Sequence, residues 1–166
     1  MSKYRFIVSI DNGCTGTVCV LNITNGTSSF CKTPVIYCAS YTKKIQHIHR
    51  INWKELVSIL PESDALVVLE RPLVNPRMFT ATASALRSLE STLIAIEYRG
   101  LDYIYMDSKE WSQEFLSSAL IGKVQMKKGS MMVAVDLFPE HKELIEKHGD
   151  GDSLLMARYM ANKLSK

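Results

Sequence analysis

The chain predicts an α/β fold built on a mixed five-stranded sheet, half antiparallel meander and half parallel, flanked by helices. Three observations carry this. Strand-like runs with a hairpin signal crowd the first quarter of the 166 residues. The apolar run ALVVLE at 65–70 has the composition of a strand buried on both faces. From there on, strand-like and helix-like periods alternate, as right-handed crossovers to a parallel half-sheet require.

In order, YRFIVSID at 4–11 is a β-branched and aromatic run that ends in a carboxylate. Asn12, Gly13 and Gly16 then turn the chain into a second strand, TVCVLNI at 17–23. Asn25-Gly26 is a two-residue hairpin signal, and residues 28–37 continue as a third strand. The stretch SYTKKIQHIHR at 40–50 is polar and basic, and reads as a loop into a short amphipathic helix at 53–60. After the buried strand, two prolines in RPLVNPRMF forbid regular structure. A long helix follows from Thr80, with Leu86, Leu89, Leu93 and Ile96 at helical spacing and Gly100 as its stop. LDYIYM at 101–106 is a strand, and Asp107 or Ser108 caps the next helix. GKVQMKKGS at 122–130 reads as a mobile basic linker, followed by helices at 130–138, after Pro139, and from Gly151 to Leu164. No repeat or composition shift divides the chain, so one domain over 1–166 is expected. This element order is that of a ribonuclease H-like domain.

Bulk properties narrow the function. The composition is 46% hydrophobic and 22% charged, which suits a packed globule rather than a disordered chain. A net charge of +3 permits a nucleic-acid partner without announcing one. No apolar run approaches the roughly 20 residues of a membrane span, and no leader-like segment opens the chain. A soluble cytoplasmic protein is expected, in the host cytoplasm if the chain is phage-encoded. Cys14, Cys19, Cys31 and Cys38 form no CxxC pair, so they read as reduced, strand-borne thiols.

The chemistry lies in acids at element ends. Asp11 closes the first strand, Glu70 closes the buried strand, and Asp150 and Asp152 stand at the mouth of the last helix. In α/β sheets, sites gather at the carboxyl ends of strands and adjacent helix termini. Carboxylates converging from separate elements repel strongly in a low-dielectric cleft, and cations relieve the conflict. Oxygen ligands select Mg²⁺, with Mn²⁺ as a substitute. Two ions roughly 4 Å apart could activate a water and stabilise the leaving oxygen of a phosphodiester. Each acid also has a plainer role. Asp11 could start a turn, Glu70 could pair with Arg71 or Arg77, and Asp150 or Asp152 could cap the last helix.

Several ordered segments match a known family. They are IVSIDNGCTGT, ALVVLERP, ALRSLESTLIAIEYRG, MDSKEWSQEFL, KKGSMMVAVDLFP and KHGDGDSLLMARYMANK. In these the chain resembles the RuvC-type Holliday junction resolvases, most closely their small phage-encoded members. The resemblance implies a crossover junction endodeoxyribonuclease, active on four-way junctions and other branched DNA, with two divalent ions per active site. It places metal ligands on Asp11, Glu70 and Asp152. The fourth ligand is Asp150 or His148, with Asp150 preferred because a carboxylate suits magnesium better than imidazole does. It further implies a homodimer through the helix at 80–98, where Thr82, Ser88 and Ser91 are small enough for close helix approach.

Phosphate contacts would come from Lys43, Lys44 and Arg50, from Arg71 and Arg77, and from Lys123, Lys127 and Lys128. Met78 and Phe79 beside the acids could wedge into an opened junction. Two other readings compete: a junction-binding protein without chemistry, and an actin-like ATP-binding domain suggested by DNGCTGT. For the latter, the chain is short and lacks a second phosphate loop.

Overall fold

The computed structural model describes residues 3–116 and 122–165, without the side chain of Lys123. Its main sheet runs, in space, β3 (Ser28–Lys32), β2 (Thr17–Asn22), β1 (Phe6–Ile10), β6 (Ala65–Glu70) and β7 (Asp102–Met106). β1, β2 and β3 form an antiparallel meander. β6 pairs parallel with β1, and β7 parallel with β6. The expected mixed five-stranded sheet is what forms.

Period-two alternation splits each central strand between two cores. Ile7, Leu66 and Val68 face one side, packed with Trp111, Phe138, Ile145, Leu154 and Leu155. These belong to α3 (Ser108–Phe115), α5 (Lys142–His148) and α6 (Asp152–Leu164), with Phe138 just after α4 (Lys123–Leu137). Val8, Ile10, Val67 and Leu69 face the other side, under α1 (Trp53–Ile59) and α2 (Phe79–Arg99) through Leu56, Ala95 and Ile96. A strand covered on both faces has no polar side to display, which is why ALVVLE reads as an unbroken apolar run.

Local signals set the helix ends. Asp107 caps α3 in a full capping box with Glu110. Gly100 and Gly149 end α2 and α5 in the left-handed conformation. The proline-rich segment after β6 is irregular except for one 3₁₀ turn, Pro76–Met78.

Three expectations are corrected. Residues 28–37 are not one strand: the chain breaks at Thr33-Pro34, and β4 (Val35–Ala39) starts a separate ribbon. The stretch 40–50 is not all loop, because β5 (His47–Ile51) returns antiparallel along β4. The linker at 122–130 is helical, and α4 begins at Lys123 rather than at Ser130. Its glycine at 129 and its lysines hid a helix whose apolar residues pack on α6. No helix among the described residues is long and apolar enough to cross a membrane.

Candidate metal centre

Parallel pairing of β1 and β6 ends both strands at the same level, with Ile10 opposite Leu69. The next residues are Asp11 and Glu70, whose side chains share a hydrogen bond. The loop that follows holds Asp11 tightly. Asp11 N–H donates to the Thr17 carbonyl at 3.1 Å, and Gly16 passes so close that a Cβ there would sit 2.1 Å from the Asp11 carbonyl oxygen. Only glycine fits that approach.

The third arm of the site comes from α6. Buried hydroxyls fasten its first turn to the sheet: Ser9 Oγ donates to the Ser153 carbonyl, and Thr17 Oγ1 lies 2.9 Å from Ser153 Oγ. All three side chains are fully buried. Gly151, at the N-cap, lets α4 approach; a Cβ there would lie 2.5 Å from the Ala134 Cβ. Neither aspartate occupies the cap position itself, though Asp150 Oδ1 accepts the Asp152 N–H at 3.0 Å.

These supports bring Asp11, Asp150 and Asp152 together, with one carboxylate oxygen from each within 4.8 Å of the others. Glu70 borders the group through Asp11 and lies close enough to feel the charges of Asp150 and Asp152. Asp150 is almost completely buried. Burial raises the Asp11 carboxyl well above the ordinary range, and the Glu70 hydrogen bond and the neighbouring aspartates push it further. Burial also raises Glu70, although its bond to Asp11 opposes the shift. Without a metal, the pair is therefore poised to share a proton.

A cation is already present in the cluster. Lys127 Nζ lies 2.8 Å from Asp150 Oδ1 and 3.0 Å from Asp152 Oδ2. Burial favours its neutral form, but the two carboxylates outweigh that and hold it protonated. Ser130 donates to Asp152 from the same helix. The donor set is all oxygen, strongly acidic and stabilised by positive charge, which fits a hard divalent ion.

The other singled-out residues fall into distinct places. His148 lies against Phe30 in a tilted ring contact, with centroids 5.8 Å apart, and is outside the acidic trio. Burial, then Lys32 and Lys147, lower its pKa. Arg71 pairs with Asp107 at 2.8 Å rather than with Glu70, and its guanidinium lies over Tyr105. Arg77, Met78 and Phe79 are exposed on the proline-rich segment and the start of α2. Lys128 is exposed on α4, and Lys43 and Lys44 are exposed at the ribbon tip, with Arg50 on β5. The Lys123 side chain lies outside the described residues. Ser88 and Ser91 do not offer a close-approach surface: both are buried within the chain, Ser88 beside Cys14. Thr82 is held by the Asn75 backbone. All four cysteines are free; three lie on strands and Cys14 on the loop after β1.

Sequence reasoning passed over Ser9, Thr17 and Ser153, and it did not foresee that Lys127 pairs with Asp150 and Asp152. A polar residue at an inward position of an apolar strand, such as Ser9 in FIVSID, was the available signal.

Two clefts flank Glu70. One, of about 750 Å³, is walled by Trp111, Met126, Lys127 and Met131, with Asp152 also lining it. The other, of about 980 Å³, is walled by Asn12, Arg71, Leu73, Met78 and Lys109. Glu70 thus stands on the ridge between an apolar and a more polar trough.

Comparison with solved structures identifies the fold of the chain. Thermus thermophilus RuvC in complex with a Holliday junction substrate superposes with a TM-score of 0.56 over 96% of each chain, at 14% identity. The fold is that of RuvC. A second Thermus thermophilus RuvC structure gives a TM-score of 0.49 at 10% identity, over 95% of this chain and 96% of that one. No protein-family model matches the sequence, and no curated protein matches it.

Proposed function

We propose that the protein is a structure-selective endonuclease that cleaves four-way junctions and related branched DNA by divalent-metal-assisted hydrolysis. The observation that carries this reading is the convergence of Asp11, Asp150 and Asp152, with Glu70 bonded to Asp11, at the carboxyl ends of parallel strands. The likeness in fold to a RuvC bound to a junction substrate supports it.

In this reading Asp11, Glu70, Asp150 and Asp152 would hold two Mg²⁺ ions, with Mn²⁺ as a substitute. Ions bound there would supply a nucleophilic water and stabilise the leaving oxygen of a phosphodiester. The chain's own residues do the rest. Ser9, Thr17 and Ser153 fix α6 so that its acids meet Asp11. Lys127, paired with Asp150 and Asp152 in the metal-free site, would be released if cations bound there, and its ammonium could then face a phosphate. Exposed Met78 lines the trough beside Glu70, with Arg77 and Phe79 exposed next to it in the chain, a placement suited to meeting an opened branch point. One domain serves as the nuclease, and a homodimer forms through α2, where Leu86, Ile94 and Tyr98 remain exposed. Two copies would present two equivalent sites to a two-fold junction.

The test is magnesium-dependent cleavage of a synthetic four-way junction by the purified protein and by Asp11→Asn. Cleavage abolished in the variant supports the nuclease. Tight binding without cleavage by the wild type would make it a junction binder, and ATP hydrolysis without cleavage would favour the actin-like reading.

A further inference from the structure

The β4–β5 ribbon has no counterpart in the sheet chemistry described so far, and its composition is unusual. No Asp or Glu occurs between Asp11 and Glu55, a stretch that holds Lys43, Lys44, Arg50 and the two ribbon histidines. Among the described residues no carboxylate pairs with Lys43, Lys44 or Arg50. A basic segment kept clear of acids repels other cations and attracts a polyanion.

The ribbon is also fastened at its base and at its tip. Ile51 anchors it in the core beneath α2, Asn52 N–H donates to Pro34, and Thr33 N–H donates to Gly16 in the loop after Asp11. At the far end, Ser40 N–H donates to Gln46, and the Gln46 side chain donates to Thr42 and Ser40. This network closes the tip and turns Tyr41 and Ile45 outward, at 82% and 101% exposure. On one face, Tyr37 stacks on His47 at 5.0 Å and contacts His49 at 5.1 Å. These side chains form a row of flat, hydrogen-bonding groups held in place yet open to solvent.

We infer that this ribbon is an accessory duplex-DNA site, laying its exposed β4–β5 strands in a major groove while Lys43, Lys44 and Arg50 hold the phosphates. A major groove about 12 Å wide admits a two-stranded ribbon, and such ribbons are a recurrent way of reading duplex DNA. The histidines and Tyr37 offer donors and acceptors to base edges. The inference rests on DNA being the substrate, and it adds a contact to a duplex arm outside the acidic centre.

The experiment measures binding of a duplex, its single strand and a four-way junction by fluorescence anisotropy in EDTA across a salt series. The wild type is compared with Lys43→Ala/Lys44→Ala/Arg50→Ala and with a variant whose residues 40–46 are replaced by Asn-Gly. Each lost phosphate contact removes about 0.9 from the slope of log K against log salt, so the triple variant should lose about 2.7. Duplex affinity should fall at least tenfold, and Mn²⁺ binding and thermal melting should be unchanged. An unchanged slope in both variants overturns the inference, and so does a loss confined to the single strand. The nuclease reading fails separately, if wild-type protein with Mn²⁺ cuts no DNA while the ribbon-dependent duplex binding persists.

Discussion

The acidic edge of the main sheet and the β4–β5 ribbon meet where Thr33 N–H donates to the Gly16 carbonyl, yet they handle polar groups in opposite ways. At the edge, Ser9, Thr17, Ser153 and Asp150 are buried. Their placement is secured by named partners, and Gly16 and Gly151 sit where any side chain would collide. On the ribbon, the cations and most side chains stand in water, and only the base and tip are tied down. Carboxylates that must act within a few ångströms of one another need a dry, rigid frame. Cations that only have to meet a phosphate lattice are better left exposed and long-armed.

That contrast can be broken at several points. The largest effect is expected at the edge: Asp11→Asn should lower junction cleavage on the order of 10²–10³-fold, the scale of losing one preorganised charge-stabilising group. Gel assays of turnover with Mg²⁺ read this directly, while the same variant should bind duplex DNA like the wild type. Leu155→Ala, on α6, should cost about 2–5 kcal/mol of stability by leaving a cavity in a fully buried position. Thermal or urea melting checks it.

Gly16→Ala is a sharper probe of the frame. The new methyl would meet the Asp11 carbonyl, so the loop must move, at a cost of about 1–3 kcal/mol. Mn²⁺ affinity measured by calorimetry should weaken along with the melting temperature. Ser153→Ala removes a buried hydroxyl that meets Thr17, and about 1–3 kcal/mol of stability should be lost as the Thr17 hydroxyl goes unpaired.

A subtler effect follows from protonation. The unfolded chain releases the Asp11 and Glu70 protons near 3.8 and 4.5, whereas the metal-free fold keeps them to higher pH. Above those values the native state binds more protons than the unfolded one. Stability of the metal-free protein should therefore decline as pH rises from about 4 through the raised folded range. Saturating Mg²⁺ should flatten or reverse that decline, because bound cations favour the ionised carboxylates. Melting curves in EDTA and in Mg²⁺ at matched pH values separate the two cases.

Much of this was legible in the chain. Each strand of the main sheet announced itself by composition, and Asp11, Glu70, Asp150 and Asp152 could be singled out because acids ending apolar elements stand out against their neighbours. The ribbon was harder to see. Thr33-Pro34 breaks a run that otherwise continues as β-forming residues, and HIHRI lacks the apolar alternation of a half-buried strand because both of its faces are largely solvated. Helix α4 was obscured by a different cause. Its lysines and Gly129 argue for a linker locally, and the packing of Ala134 beside Gly151 on α6 overrides them. Lys127 could not be placed from sequence, because its position between Asp150 and Asp152 depends on that same helix contact.

The most direct measurement is anomalous diffraction from a crystal soaked in Mn²⁺. A two-metal nuclease predicts two peaks roughly 4 Å apart, bounded by Asp11, Glu70, Asp150 and Asp152, with the Lys127 ammonium displaced from the aspartates. Lys127 still seated between Asp150 and Asp152 with no manganese beside them, or manganese held by His148 away from Asp11, would contradict it.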